Sequence, residues 1–326
     1  MRGFDVTTAV TIDLAGGNLG GAARYRYELS GYLERRARQD IRLIGARRRL
    51  SPAWLAAREA TAARRSRRIA LNNVGFLTSG GERWTLLTNA LHFLTGAEMG
   101  ALDPGLRAAV SRQAGVVRRA AQRSDVLVAP CTAMAERITA ALPEVADRVT
   151  VRMHPVSVSA APHSPGGALI LCPVLFAPYK HMADRIGEWL AAVDEVMDDA
   201  VRLIVTASPA EVPASLATSP RLHLVGRLSV AQTRDLWSRC QAVYFPTGLE
   251  SFGCALAEAR VNGVPVIARD TSQNREIAGA ALCGYALGDG DSLRHATEAA
   301  LNLRITPDPE PFDPDAYFDW MLGDSK

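Results

Sequence analysis

The chain has 326 residues, of which 48% are apolar and 22% charged, and a net charge of +3. That length suits two domains with cores of their own, and no apolar run approaches the roughly 20 residues that cross a bilayer. The five cysteines (131, 172, 240, 254 and 283) are scattered, with no CxxC or Cys/His cluster, which argues against a zinc site and for reduced thiols in a cytoplasm.

The opening stretch, MRGFDVTTAVTIDLAGG, is interrupted by Asp5 and Asp13 and reads as a first strand over 7–14, not a signal peptide. Gly16, Gly17, Gly20 and Gly21 follow, ahead of a helix from Ala22 to about Arg38. Glycines between a strand and a helix let the backbone approach a ligand, and a flexible turn is the other reading. The spacing is not the dinucleotide G-x-G-x-x-G, and no acid stands where an NAD ribose needs one. Arg24 either reaches a phosphate or lies on the surface.

Ile41–Ile44 reads as a second strand, and 51–64 as a helix with Ser51 as cap and Pro52 at its first position. The arginine runs around it lack interleaved aromatics, so no nucleic-acid partner is expected. Two apolar stretches follow, Ile69–Leu77 and Trp84–Phe93. His92, placed at the C-terminal end of the second as a strand, either points toward a ligand crevice or is a buried structural histidine. Then come a helix over 103–123, a strand over Asp125–Pro130, a helix from Cys131, a strand over Arg148–Met153, and a Pro/Gly-rich linker over 159–168. Residues 1–160 hold 24 Arg against 13 acids, and the remainder 13 Lys+Arg against 21 acids. The basic half is suited to weak association with anionic acceptors or a membrane surface, or simply carries solvated arginines.

The second half alternates strand and helix again. Strands are expected at Ala168–Cys172, Val201–Thr206, Leu222–Val225, Ala242–Phe245 and Val264–Ala268, with helices over 185–196, 230–240 and 289–303. Lys180, one of only two lysines, sits in the loop after the first of these strands. Its compact charge suits diphosphate oxygens. Arg227, in the Gly226–Ser229 loop, supplies a further charge or is an ordinary loop arginine. The Pro-rich tail 307–314 precedes a segment over 316–322.

The most informative stretch is Phe245–Ala268, FPTGLESFGCALAEARVNGVPVIA. Ser251 is expected to cap a helix, and Gly253 lets the backbone come close to a ligand. The free amides of Ser251, Phe252 and Gly253 at its positive end favour a diphosphate. Glu250 and Glu258 flank them, on the order of 12 Å apart at helical rise. Carboxylates at that separation can accept from hydroxyls at the two ends of a nucleotide sugar.

This stretch resembles the Glu-x7-Glu motif of retaining glycosyltransferases of the GT-B fold, family 4, including the NGVPVIA strand that follows it. The resemblance implies that Glu250 faces the donor sugar and Glu258 the nucleotide ribose. It implies a donor-sugar contact for His92, and a cleft-facing loop for Gly16, Gly17 and Gly20. Cys131–Ile138 is similar to the family's "vapSeamaerl" segment, with cysteine in place of serine. His154-Pro155-Val156-Ser157 departs from the family's "pNGVd", so that loop must differ. The family pattern "vGRl-x-p-x-KG" matches at Lys180, but Val174-Leu175 replaces the Gly-Arg pair, and the arginine that helps clamp the diphosphate is missing.

The expected fold is therefore α/β: two doubly wound Rossmann-like domains facing a central cleft. The boundaries are 1–160 on the acceptor side and 161–326 on the nucleotide-sugar side, with the C-terminal helix returning to the first domain. The expected activity is retaining, metal-independent transfer from a UDP-, GDP- or dTDP-sugar to a small-molecule, glycan or lipid acceptor, with no cofactor. Glu250, Lys180 and His92 are the expected catalytic residues. Glu258, Ser251, Phe252, Gly253, Arg227, Gly16, Gly17 and Gly20 are the expected donor-binding residues. The alternatives are a GT-B protein that binds nucleotide but has lost or redirected transfer, and an NAD-dependent or binding-only Rossmann protein.

Overall fold

A computed structural model describes residues 9–17, 20–62, 66–78, 80–158, 167–194 and 197–323. The expected linker falls mostly on 159–166, outside the described residues. The chain divides into two compact units, Met1–Pro155 with Asp313–Lys326, and Val156–Phe312.

The first unit is built on strands β1 (Val10–Asp13), β2 (Ile41–Ile44), β3 (Arg67–Ala70), β4 (Arg83–Leu86), β5 (Val126–Ala129) and β6 (Val149–Val151). All pairings are parallel, in the order β2-β1-β3-β4-β5-β6. Between them run α1 (Gly20–Arg36), α2 (Pro52–Thr61), α3 (Gly96–Gly100), α4 (Pro104–Ala121) and α5 (Thr132–Ala141). All four residues of β1 are buried, as befits a central strand covered on both faces. Helix α4 starts where Asp103 accepts from the amides of Gly105 and Leu106 and Pro104 needs no donor.

The second unit has β7 (Leu169–Cys172), β8 (Arg202–Val205), β9 (Leu222–Leu224), β10 (Ala242–Phe245), β11 (Val266–Arg269) and β12 (Leu282–Tyr285). Its sheet is also parallel, in the order β12-β11-β10-β7-β8-β9. Its helices are α6 (Met182–Val193), α7 (Ala214–Ala217), α8 (Val230–Arg239), α9 (Cys254–Asn262), α10 (Ser272–Ala278) and α11 (Gly290–Asn302). Trp189, Tyr244, Ile170 and Leu203, all below 1% exposure, centre its core. Strand β12 has no counterpart among the expected elements. Its run is short and apolar, and it takes the sheet edge beside β11.

The chain then re-enters the first unit as α12 (Pro314–Leu322), capped by Asp313 at its start and Gly323 at its end. Tyr317, Phe318, Met321 and Leu322 are buried beside Tyr25 and Tyr32 of α1. The polar rim is tied by Tyr32 Oη donating to Asp319 at 2.7 Å and by Arg35 to Asp315 at 2.6 Å.

Candidate active site

In an open parallel sheet, ligands bind beyond the C-terminal ends of the strands, where the order reverses. In the second unit that point lies between β7 and β10. Two loops leave it, Pro173–Lys180 after β7 and Pro246–Gly253 after β10. Lys180 ends the first loop, in a 3-10 turn over Pro178–Lys180, and Glu250 lies in the second. Lys180 Nζ donates to Glu250 Oε1 at 2.6 Å, with the two side chains 14% and 22% exposed. Two of the expected catalytic residues, 70 positions apart, thus form one ion pair at the switch point.

Neighbouring groups hold both loops. Thr206 Oγ1 accepts from the Val174 amide at 2.9 Å and donates to the Val174 carbonyl at 3.1 Å. Val174 is buried and Leu175 is 40% exposed, so the position at which the family carries arginine presents an apolar side chain. Gln273, on α10, donates to the carbonyls of Glu250 and Phe252 at 3.3 and 3.4 Å. Burial raises the pKa of Tyr179, beside Lys180 and Glu250, so its phenol stays protonated at neutral pH.

The start of the motif helix differs from expectation. Its N-cap is Gly253, in the left-handed region at φ 90°, and α9 begins at Cys254. Ser251 stands two residues upstream and is not the cap. Only glycine takes that backbone turn cheaply, and a Cβ there would lie 3.1 Å from the Phe245 ring. The span from Glu250 to Gly253 is not helical, so the helical-rise separation applies only to the part of the motif inside α9. Phe252 is 2% exposed, with its ring 6.3 Å from that of Phe312. Its side chain is packed away from solvent, and its carbonyl accepts from Gln273. Glu258 lies half-buried in α9. Arg227 follows β9, is 64% exposed and lies 3.7 Å from Glu211.

The remaining expected site residues belong to the first unit. Gly16, Gly17 and Gly20 all have positive φ, at 77°, 58° and 58°. A Cβ on Gly17 would come within 2.7 Å of Ala22, so the loop needs its glycines for geometry. Arg24 pairs with the buried Glu28 of its own helix at 3.0 Å. His92 does not end a strand: β4 stops at Leu86, and His92 lies in a 3-10 turn over Ala90–Phe93 capped by Asn89. It is 6% exposed, and burial lowers its pKa, which keeps the ring neutral.

A buried network escaped the sequence reading. The first sheet reverses order between β1 and β3, and Asp13 closes β1 there with no exposed surface. Its carboxylate accepts from Arg58 at 2.6 Å, Asn72 at 2.9 Å, the Ala15 amide at 3.0 Å and Trp54 at 3.1 Å. Arg58 also donates to the carbonyls of Val74 and Gly75. The signal available was an acid inside an apolar strand followed by glycines.

Two all-parallel sheets of this connectivity, each with helices on its faces, define a GT-B-fold protein. The profile described as glycosyl transferases group 1 matches residues 214–310, which include Glu250, Gly253 and Glu258, and relates the chain to that family. Among solved structures, sucrose-phosphate synthase from Thermosynechococcus elongatus aligns with TM-score 0.62 at 12% identity, over 96% of this chain and 94% of its own. The lipopolysaccharide outer core galactosyltransferase WaaB aligns with TM-score 0.50 at 12% identity, over 97% and 99%. TarM aligns with TM-score 0.52 at 14% identity over 80% of this chain, which spans 55% of the length of TarM. No curated protein matched. Among the described residues no group of three His, Cys, Asp or Glu is placed to hold a metal ion, and no helix is long and apolar enough to cross a membrane.

Proposed function

We propose that the protein transfers a sugar from a nucleotide-sugar donor, with retention and without a metal, and that the donor binds at the β7–β10 switch point. The observation that carries this reading is the Lys180–Glu250 pair, set between the β7 loop and the amino end of α9. In this reading the diphosphate draws Lys180 away from Glu250. The lysine and the amides before α9 then stabilise the charge that grows on the leaving oxygens. Glu250, released, accepts from donor-sugar hydroxyls, and Glu258 accepts from the ribose. Within the first unit, His92, neutral in its buried setting, and the backbone of Gly16, Gly17 and Gly20 are the groups proposed to face a ligand. Arg227 remains a peripheral charge for the nucleotide. The units are proposed to act as separate acceptor-side and donor-side domains, in a cytoplasmic protein.

A full-length chain incubated with UDP-, GDP- and dTDP-hexoses is expected to bind one nucleotide class and release its diphosphate slowly. UDP is the first probe, since an S. aureus TarM variant was crystallised with it. No binding by any member of the panel defeats the reading. Binding with neither hydrolysis nor transfer selects the second reading, a nucleotide-binding GT-B protein without transfer, which Leu175 favours by presenting no charge. The dinucleotide alternative is disfavoured because the turn after β7, PVLFAPYK, contains no glycine. Co-sedimentation with anionic vesicles tests the weak membrane-surface association.

A further inference from the structure

Lys180 and Glu250 together are electrically neutral, so the pair by itself offers a diphosphate little net attraction. Other basic side chains in the loops at this edge are also compensated: Arg227 lies 3.7 Å from Glu211, and Arg275 lies 2.6 Å from Asp270. Arg269 differs. It ends β11, beside β10, where Ala268 is level with Phe245. Its backbone is fixed by the buried Asn274 donating to its carbonyl at 2.8 Å. Among the described residues its guanidinium has no hydrogen-bond or ion-pair partner, although the residue is only partly exposed.

The loop that carries Glu250 runs beside that guanidinium. Gly248, two residues before Glu250, is not among the glycines with positive φ, so its backbone does not require glycine. A Cβ there would come within 2.8 Å of Arg269 Nη1. The guanidinium therefore lies directly beside the loop backbone at Gly248.

We propose that Arg269 is the uncompensated cation that holds a phosphate of the nucleotide diphosphate at this site, from the β11 side. A guanidinium presents forked donors that match phosphate oxygens and does not lose its charge near neutral pH. The inference rests on the nucleotide-sugar reading and adds a specific residue to it.

The test is calorimetric titration of the full chain with UDP, GDP and dTDP, and with the corresponding nucleosides, at two salt concentrations. R269Q is expected to weaken the preferred diphosphate about tenfold or more, flatten its salt dependence and leave nucleoside affinity unchanged. R269K is expected to restore part of the loss. R269M keeps the side-chain stem without its charge, is expected to reproduce the loss, and carries the test if R269Q fails to fold. Diphosphate affinity within threefold of native in R269Q or R269M, while K180A abolishes binding, overturns the role of Arg269 and leaves the nucleotide reading standing. A native chain that binds none of the diphosphates overturns both.

Discussion

Replacing Arg58 with methionine would leave the Asp13 carboxylate charged and buried without its strongest partner. Both side chains are essentially inaccessible, at 1% and 0% exposure, and the contact is 2.6 Å. Removing one member of such a pair costs about 3–5 kcal/mol, because the other charge stays out of water with no compensation. Asn72, Trp54 and the Ala15 amide still donate to Asp13, which places the expected cost near the lower end of that range. For a unit of this size about 3 kcal/mol lowers the melting temperature by roughly 6–12 °C. Trp54, Trp84 and Trp320 lie in the first unit and Trp189 and Trp237 in the second, so fluorescence follows both units, and calorimetry of R58M against the native chain reads the shift in the first. D13N combined with R58M removes both charges and is expected to be less destabilised than the two single losses added. The reasoning is refuted if R58M melts within about 2 °C of the native chain, or if the double variant loses the full sum. The Asp13 contact to the Ala15 amide also ties the network to the glycine loop, so R58M is expected to loosen amide-exchange protection there.

Glu258→Ala is expected to weaken nucleotide binding, whereas Glu250→Ala mainly slows transfer. Unchanged affinity in the first variant, measured by titration, counts against its proposed ribose contact. His154 is 6% exposed, and burial pushes its pKa down to about 4 from an ordinary 6.5. The unfolded chain therefore takes up a proton that the folded chain refuses between those values. Stability falls as pH drops from 6.5 toward 4, by about 3 kcal/mol in all, and then levels off for this group. H154Q is expected to flatten that part of a stability–pH curve, and an unaltered slope would rule the histidine out as its source. Gly263→Ala is expected to cost at least about 1 kcal/mol. Gly263 caps α9 at φ 67°, and a Cβ would meet the Ile305 carbonyl oxygen at 2.7 Å. A melting temperature equal to native would show that the tail there gives way freely.

Signals that act over a few residues were legible in the sequence. Ser51 before Pro52 marked α2, because a cap is decided by neighbouring backbone. The same local rule misled at Ser251, where a serine hydroxyl and a glycine two residues on competed to start one helix. His92 was misplaced because an apolar run ending in Asn89-Ala90-Leu91-His92-Phe93 has the composition of a strand, while the Asn89 side chain starts a turn there.

Lys180, Glu250 and Glu258 announced themselves singly through residue type and spacing. That Lys180 meets Glu250, that Asp13 meets Arg58, and that Arg269 lies against Gly248 required the order of the strands. Parallel strands join through crossovers, so side chains at one sheet edge come from loops tens of residues apart. No periodicity within a segment records which of those loops become neighbours. Burial of the sheet faces selects the strand order, and strand order then decides which charges neutralise each other and which one is left for a ligand.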